Sequence, residues 1–246
     1  MDPPRVSEII LEAAPDSAAR FLRAWHGPRR ECAERSLSQA LPLPLRRVYG
    51  LVALWPEAIV QNHLLAPPEF ADIKKEDWAD VEVEDERLLF YVENQGVCRW
   101  ATQADDVEDA RVWIRGSLPG GELSEWTLEE PALSHFLLQL LSFEAVMGAS
   151  SGASAAWLDW PLVDQVLAPL ERLPFGAWRW PAYPTHFYVG ERIIAVAGPN
   201  LGSGETEQSA GQANLTIGAL DDDALAYLDE LVDDSWEWFS RRDGTE

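Results

Sequence analysis

The stretch from Pro131 to Met147 constrains the fold more than any other part of the chain. Leu133, Phe136, Leu137, Leu140 and Leu141 recur at helical spacing, and Leu138, Phe143 and Val146 widen the stripe. Pro131 suits the opening of a helix, where a missing amide hydrogen costs nothing. A helix this apolar is largely buried, so other elements must cover it. It falls short of the roughly 20 apolar residues of a membrane span, as does every other stretch.

Before this helix the apolar period is two. Arg87–Val92 is rich in Leu, Phe, Tyr and Val, and residues 97–103 alternate. Between them stands Glu93-Asn94-Gln95-Gly96, in which Asn tolerates turns and Gly supplies positive φ, the chemistry of a hairpin. Residues 110–115 predict a third strand, with Val112 and Ile114 on one face and Arg111, Trp113 and Arg115 on the other. Leu118-Pro119-Gly120-Gly121 is a turn, and residues 123–128 return as a fourth strand. Strands joined by such short turns pair antiparallel.

Nearer the N-terminus the period is helical. Val6, Ile9, Ile10 and Ala13 form one face of a helix that Pro15 stops. Asp16 is a suitable N-cap for a second helix carrying Phe21, Leu22 and Trp25, which Gly27-Pro28 ends. Residues 31–39 predict a further helix. Pro44 opens another, with Leu45, Val48, Tyr49 and Val52 on one face, ending before Pro56.

Beyond Met147, Gly148–Ser154 is small and polar and predicts a linker or flexible loop. Leu162, Val163, Val166 and Leu167 suggest a short helix broken near Pro169. Strands are expected over 175–180, 185–189, 192–197 and 213–217, with Gly190-Glu191 as a tight turn and a polar Gly/Ser loop over 198–211. Asp221 or Asp222 would cap a final helix whose face is Leu225, Leu228, Val232, Trp236 and Phe239. The expectation is an α+β fold: an antiparallel sheet with flanking helices over 1–148, and a C-terminal extension over 149–246 packed on the first unit.

With 47% hydrophobic residues the chain is globular despite a net charge of −23. The charge is unevenly placed: residues 1–50 carry 8 basic and 6 acidic groups, and all of the acidic excess lies beyond them. Such a field argues against nucleic acid and anionic membranes as partners. Ten carboxylates lie in 221–246, and nine in the tract from Glu69 through Asp72, Glu76, Asp77, Asp80, Glu82, Glu84 and Asp85 to Glu86. This tract also holds Trp78, and it is the preferred partner-binding surface. The chain opens without a secretory leader, which together with the lack of a membrane span predicts a cytoplasmic protein. Cys32 and Cys98 read as two buried thiols in a reducing compartment, with a single disulfide as the other reading.

The motifs of known chemistry fail their context. Gly148-Ala149-Ser150-Ser151-Gly152 spells G-x-S-x-G, but a serine hydrolase needs a strand before it and a helix after it. A hydrolase using Ser150 is therefore a remote alternative, which an active-site serine probe would test. The glycines from Gly198 to Gly204 lack the Lys-Ser/Thr of a phosphate loop. His26, His63, His135 and His186 show no metal-ligand spacing, and Asp221-Asp222-Asp223 is explained by helix capping. No catalytic residue, metal ligand or cofactor is expected.

Several segments, in order, resemble the SUKH superfamily of bacterial immunity proteins and a fungal cell-wall regulator. Leu41-Pro42-x-Pro44-Leu45 with Tyr49 is similar to its opening helix, and Leu64-Leu65-x-Pro67-x-Glu69 to the step after it. Phe90-Tyr91-Val92-Glu93-Asn94-Gln95-Gly96-Val97 with Trp100 resembles its hairpin. Asp105-Asp106 and Ala110-Arg111-Val112-Trp113 resemble the following strand without its usual proline, and Leu133–Phe143 the closing helix. The match covers residues 37–147. The resemblance implies an antiparallel sheet with flanking helices, no catalysis, and a protein that binds and blocks a cognate toxin, often a nuclease. The acidic surface agrees, since it complements a basic cleft. An interaction scaffold with no toxin partner is the alternative.

Overall fold

A computed structural model describes residues 6–12, 16–29, 41–65, 83–84, 87–103, 109–118, 121–200 and 211–243. Three helices lead the chain: α1 (Val6–Glu12), α2 (Ser17–His26) and α3 (Leu43–Leu54). Their apolar faces are buried as the spacing requires, through Val6, Ile9 and Ile10, then Phe21 and Leu22, then Leu45, Val48 and Tyr49. Asp16 precedes α2, but its side chain makes no capping hydrogen bond. Trp55 follows α3 and its indole N–H donates to the Gly27 carbonyl at 3.0 Å, tying α3 to the end of α2. The helix expected over 31–39 lies outside the described residues.

The first sheet contains β1 (His63–Leu64), β2 (Val83–Glu84), β3 (Arg87–Val92), β4 (Cys98–Gln103), β5 (Val112–Leu118) and β6 (Gly121–Glu130). It is antiparallel, in the order β1-β3-β4-β5-β6, with β2 also paired to β3. Cys98, Trp100, Val112 and Ile114 turn inward, while Arg99, Trp113 and Arg115 lie on the other face and are half-buried. Then comes α4 (Leu133–Met147), in which every residue from Phe136 to Val146 is buried.

The second antiparallel sheet is built from β7 (Ser151–Asp159), β8 (Glu171–Arg172), β9 (His186–Val189), β10 (Ile193–Pro199), β11 (Gln212–Ala219) and β12 (Trp238–Phe239), in the order β12-β7-β11-β10-β9-β8. Helix α5 (Trp160–Leu167) follows β7, and α6 (Ser240–Asp243) closes the described chain. The architecture is α+β.

The layers follow from alternation along β10. Ile194 and Val196 belong to a core shared with α4, with Phe90, Trp100 and Ile114 of the first sheet, and with α1–α3. Ile193, Ala195 and Ala197 belong to a second core with Val163 and Val166 of α5 and Leu225 and Leu228. Thus α4 lies between the two sheets, and the second sheet is covered on both faces. That explains why α4 lacks a polar face. None of the described helices is long and apolar enough to cross a membrane.

Three expectations are corrected. Within the predicted Gly148–Ser154 linker, Ser151–Ser154 form the start of β7, a strand that lies between β11 and β12 in its sheet. Its small residues permit close approach: a Cβ on Gly152 would lie 2.3 Å from the Ile217 carbonyl and 2.9 Å from the Trp238 ring. Residues 175–180 form no strand; Trp178 alone makes a bridge, to Thr185. The Trp178 and Thr185 amides exchange hydrogen bonds, but the Gly176 and Arg179 amides on either side donate to the Glu130 and Glu129 carboxylates instead of to a neighbouring strand. The final helix is a 3₁₀ turn over Asp222–Leu228, followed by an irregular stretch and β12. Leu225, Leu228, Trp236 and Phe239 are buried as expected. However, the Asp233 carboxylate accepts from the Ser235 amide at 2.9 Å and bends the chain, and Trp238 and Phe239 pair with Ser154 and Ala153.

Candidate functional site

The hairpin of the resemblance is described in full, and its chemistry is structural. Glu93 is buried at the turn, where its carboxylate accepts from the Gln95 amide at 2.8 Å and the Val97 amide at 3.4 Å. Gly96 takes φ 74°, the left-handed region that favours glycine, and its amide donates to the Glu93 carbonyl at 2.8 Å. Asn94, Gln95 and Gly96 are exposed at the tip. Trp100 is fully buried, with ring centroids 5.0 Å from Tyr91, 5.7 Å from Trp178 and 6.1 Å from Phe136. The hairpin thus exposes its tip, while Trp100 packs against α4 and Trp178 in the core.

A polar network runs inward from that tip. The Asn94 amide donates to Asn62 Oδ1 at 3.1 Å, and Asn62 Nδ2 donates to the Tyr91 hydroxyl at 2.7 Å. Tyr91 in turn donates to Glu144 of α4. The Glu144 carboxylate also accepts from the amides of Val60 at 2.7 Å, Gln61 at 2.6 Å and Asn62 at 3.1 Å. Burial, and then the Glu144 charge, hold the Tyr91 hydroxyl well above its ordinary pKa. Sequence reasoning missed this network. Its one signal was a lone carboxylate inside the apolar stretch Leu137–Val146.

A second buried carboxylate pair ties β6 to the segment 175–180. The register of β5 on β6 shifts between Val112↔Glu130 and Trp113↔Leu128, leaving Glu129 as an extra residue. Glu129 accepts from the Arg179 amide at 2.8 Å and the Arg179 guanidinium at 3.3 Å. Burial nevertheless pushes its carboxyl up to about 7. Glu130 accepts from the Gly176 amide at 3.3 Å, and Gln139 of α4 donates to the Gly176 carbonyl at 3.1 Å.

Of the acidic tract proposed as contact surface, Glu84 pairs through its backbone with Arg87 in β2. Glu69, Asp72, Glu76, Asp77, Trp78, Asp80, Glu82, Asp85 and Glu86 lie outside the described residues. The C-terminal acidic concentration is described. Asp221 caps the 3₁₀ turn by accepting from the Ala224 amide at 3.1 Å. Arg241 pairs with Asp229 through two nitrogens, at 2.8 and 2.7 Å, and holds that carboxyl below its ordinary range. Asp223 also lies in the field of Arg241, whereas exposed Glu230, Asp234 and Glu237 form no ion pair with another described residue.

Of the Gly198–Gly204 segment, residues 201–204 lie outside the described residues. Ser150 follows α4 and precedes β7, so the order is helix, turn, strand, the reverse of a nucleophile elbow. Among the described residues no group of three or more His, Cys, Asp or Glu side chains has the geometry to hold a metal. Cys98 is a free thiol, which burial pushes above its ordinary pKa; Cys32 lies outside the described residues. Compared with family models, with curated proteins and with solved structures, the chain matches none.

Proposed function

We propose that this chain is a non-enzymatic protein-binding module that neutralises a basic, nuclease-type toxin, as the resemblance to the SUKH superfamily implies. The observation that carries the reading is the surplus of carboxylate on the surface, seen at exposed Glu230, Asp234 and Glu237, which form no ion pair with another described residue. A nuclease offers a positive cleft to phosphates, and a surface of this sign competes for it and steers the encounter. The segments that carry the resemblance fall, in order, on α3, β1, the β3–β4 hairpin, β5 and α4. In this reading the toxin meets exposed carboxylates and aromatic side chains, whereas Glu93 and Trp100 set the frame that displays them.

The reading predicts a toxin gene beside this one, and co-expression with its product tests it. Growth should be rescued, and the purified pair should bind with an affinity that falls steeply as salt is added. No rescue and no complex would sink it.

A further inference from the structure

Trp157 is the most exposed large apolar side chain among the described residues, at 55%. It is also the one described non-glycine residue with positive φ, at 63°. The two facts share a cause. Ala155 pairs with Leu215 and Leu158 with Ala213, so Ala156 and Trp157 together face the single residue Asn214 across a β-bulge. The left-handed position of such a bulge ordinarily falls to glycine. A bulky side chain there is strained, and this one gains little burial in return. An outlier of this kind points outward, to something the fold itself does not contain.

One edge of its own strand is open over part of its length. Among the described residues, β7 meets β12 on its outer side only at Ala153 and Ser154, and from Ala155 to Asp159 it pairs only with β11. Open edges invite a further strand. The edge also has a charge. Glu237 donates its amide to the Ser154 carbonyl at 3.0 Å, which places this exposed acid where β12 gives out, and exposed Asp159 ends the strand. An added strand with basic side chains would meet backbone groups, two carboxylates and an indole face that attracts cations.

We propose that the free edge of β7 from Ala155 to Asp159, marked by Trp157, is the docking strand for an extended, basic segment of the protein partner. The proposal rests on the reading of the chain as a binder of a basic protein, and it names where that partner is held.

The probe is a short, labelled peptide alternating Arg and Val, long enough to span Ala155–Asp159, followed by fluorescence anisotropy. A control peptide of equal charge carries Pro in place of Val and cannot donate at those positions. The full-length protein should bind the first peptide and bind the second at least about tenfold more weakly. Trp157→Gly should lose at least about tenfold in affinity while melting no lower than the parent, because glycine relieves the strain. Trp157→Asn also tolerates positive φ, and it serves if glycine loosens the strand. The proposal is overturned if the parent fails to bind at millimolar peptide. It is equally overturned if the proline peptide or the Trp157 variants bind as well as their references. Toxin rescue distinguishes this failure from that of the wider reading: rescue retained by Trp157→Asn removes the docking strand alone, and absence of rescue by the parent removes the wider reading.

Discussion

Two buried carboxylates do opposite work. Glu144 is surrounded by donors: three consecutive amides and a tyrosine hydroxyl converge on it. Exchanging its carboxylate for an amide turns an acceptor into a donor facing donors. Glu144→Gln should therefore cost about 2–4 kcal/mol in urea denaturation and speed hydrogen exchange at Val60, Gln61 and Asn62. A loss below the error of the measurement would show that the network is dispensable. Glu129 is less well served, and burial outweighs Arg179, so its carboxyl binds a proton up to about pH 7. Between its ordinary value near 4.5 and 7, the folded state holds a proton that the unfolded state has released. Stability should thus fall as pH rises through that window, by on the order of 2–3 kcal/mol for this group. The overall negative charge acts in the same direction, so the readout is the difference between the parent and Glu129→Gln. The variant should show the shallower slope, and parallel curves would refute the assignment.

At the scale of elements, the two places where the described structure departs most from the sequence pattern are both on or beside β7. Its small residues have the composition of a linker, yet the strand is held between β11 and β12 because they are small. A methyl group at Gly152 would meet the Ile217 backbone carbonyl, which cannot rotate away as a side chain can. Gly152→Ala should therefore cost about 1–3 kcal/mol and loosen the pairing of β12, seen as faster exchange at Glu237. A neutral substitution would mean that β12 is already loosely attached. The expected final helix failed for a related reason. Its apolar spacing predicted burial, and the residues are buried, but helix and strand both satisfied that demand. The Asp233–Ser235 turn and the waiting edge of β7 decided between them.

For the whole molecule, charge sets the conditions under which it is stable. A net charge of −23 on 246 residues repels itself on compaction. Raising sodium chloride from low to moderate concentration should raise the melting temperature, by screening. The same salt should weaken a basic partner, so stability and binding should respond in opposite senses. If both rose together, charge complementarity would not be the basis of recognition. The layered core is the second property at this scale. Because α4 belongs to a core that both sheets share, the chain from Ser151 onward supplies part of the cover for the hairpin sheet.

The sequence by itself determined the α+β class, the faces of α1–α4, the β3–β4 hairpin with its glycine turn, and the inward set Val112 and Ile114. These are local properties, fixed by period and turn chemistry. It also supplied the resemblance and the acidity on which the functional proposal stands. Tertiary structure decided what depends on partners distant in the chain. Glu144 reads as an anomaly in an apolar helix until the amides of Val60–Asn62 are brought to it. Gly148–Ser154 reads as a linker until two strands flank Ser151–Asp159, and nothing in the sequence singles out Trp157 before the bulge turns it outward. Periodicity reports which residues want burial, but it does not report which backbone will meet them there.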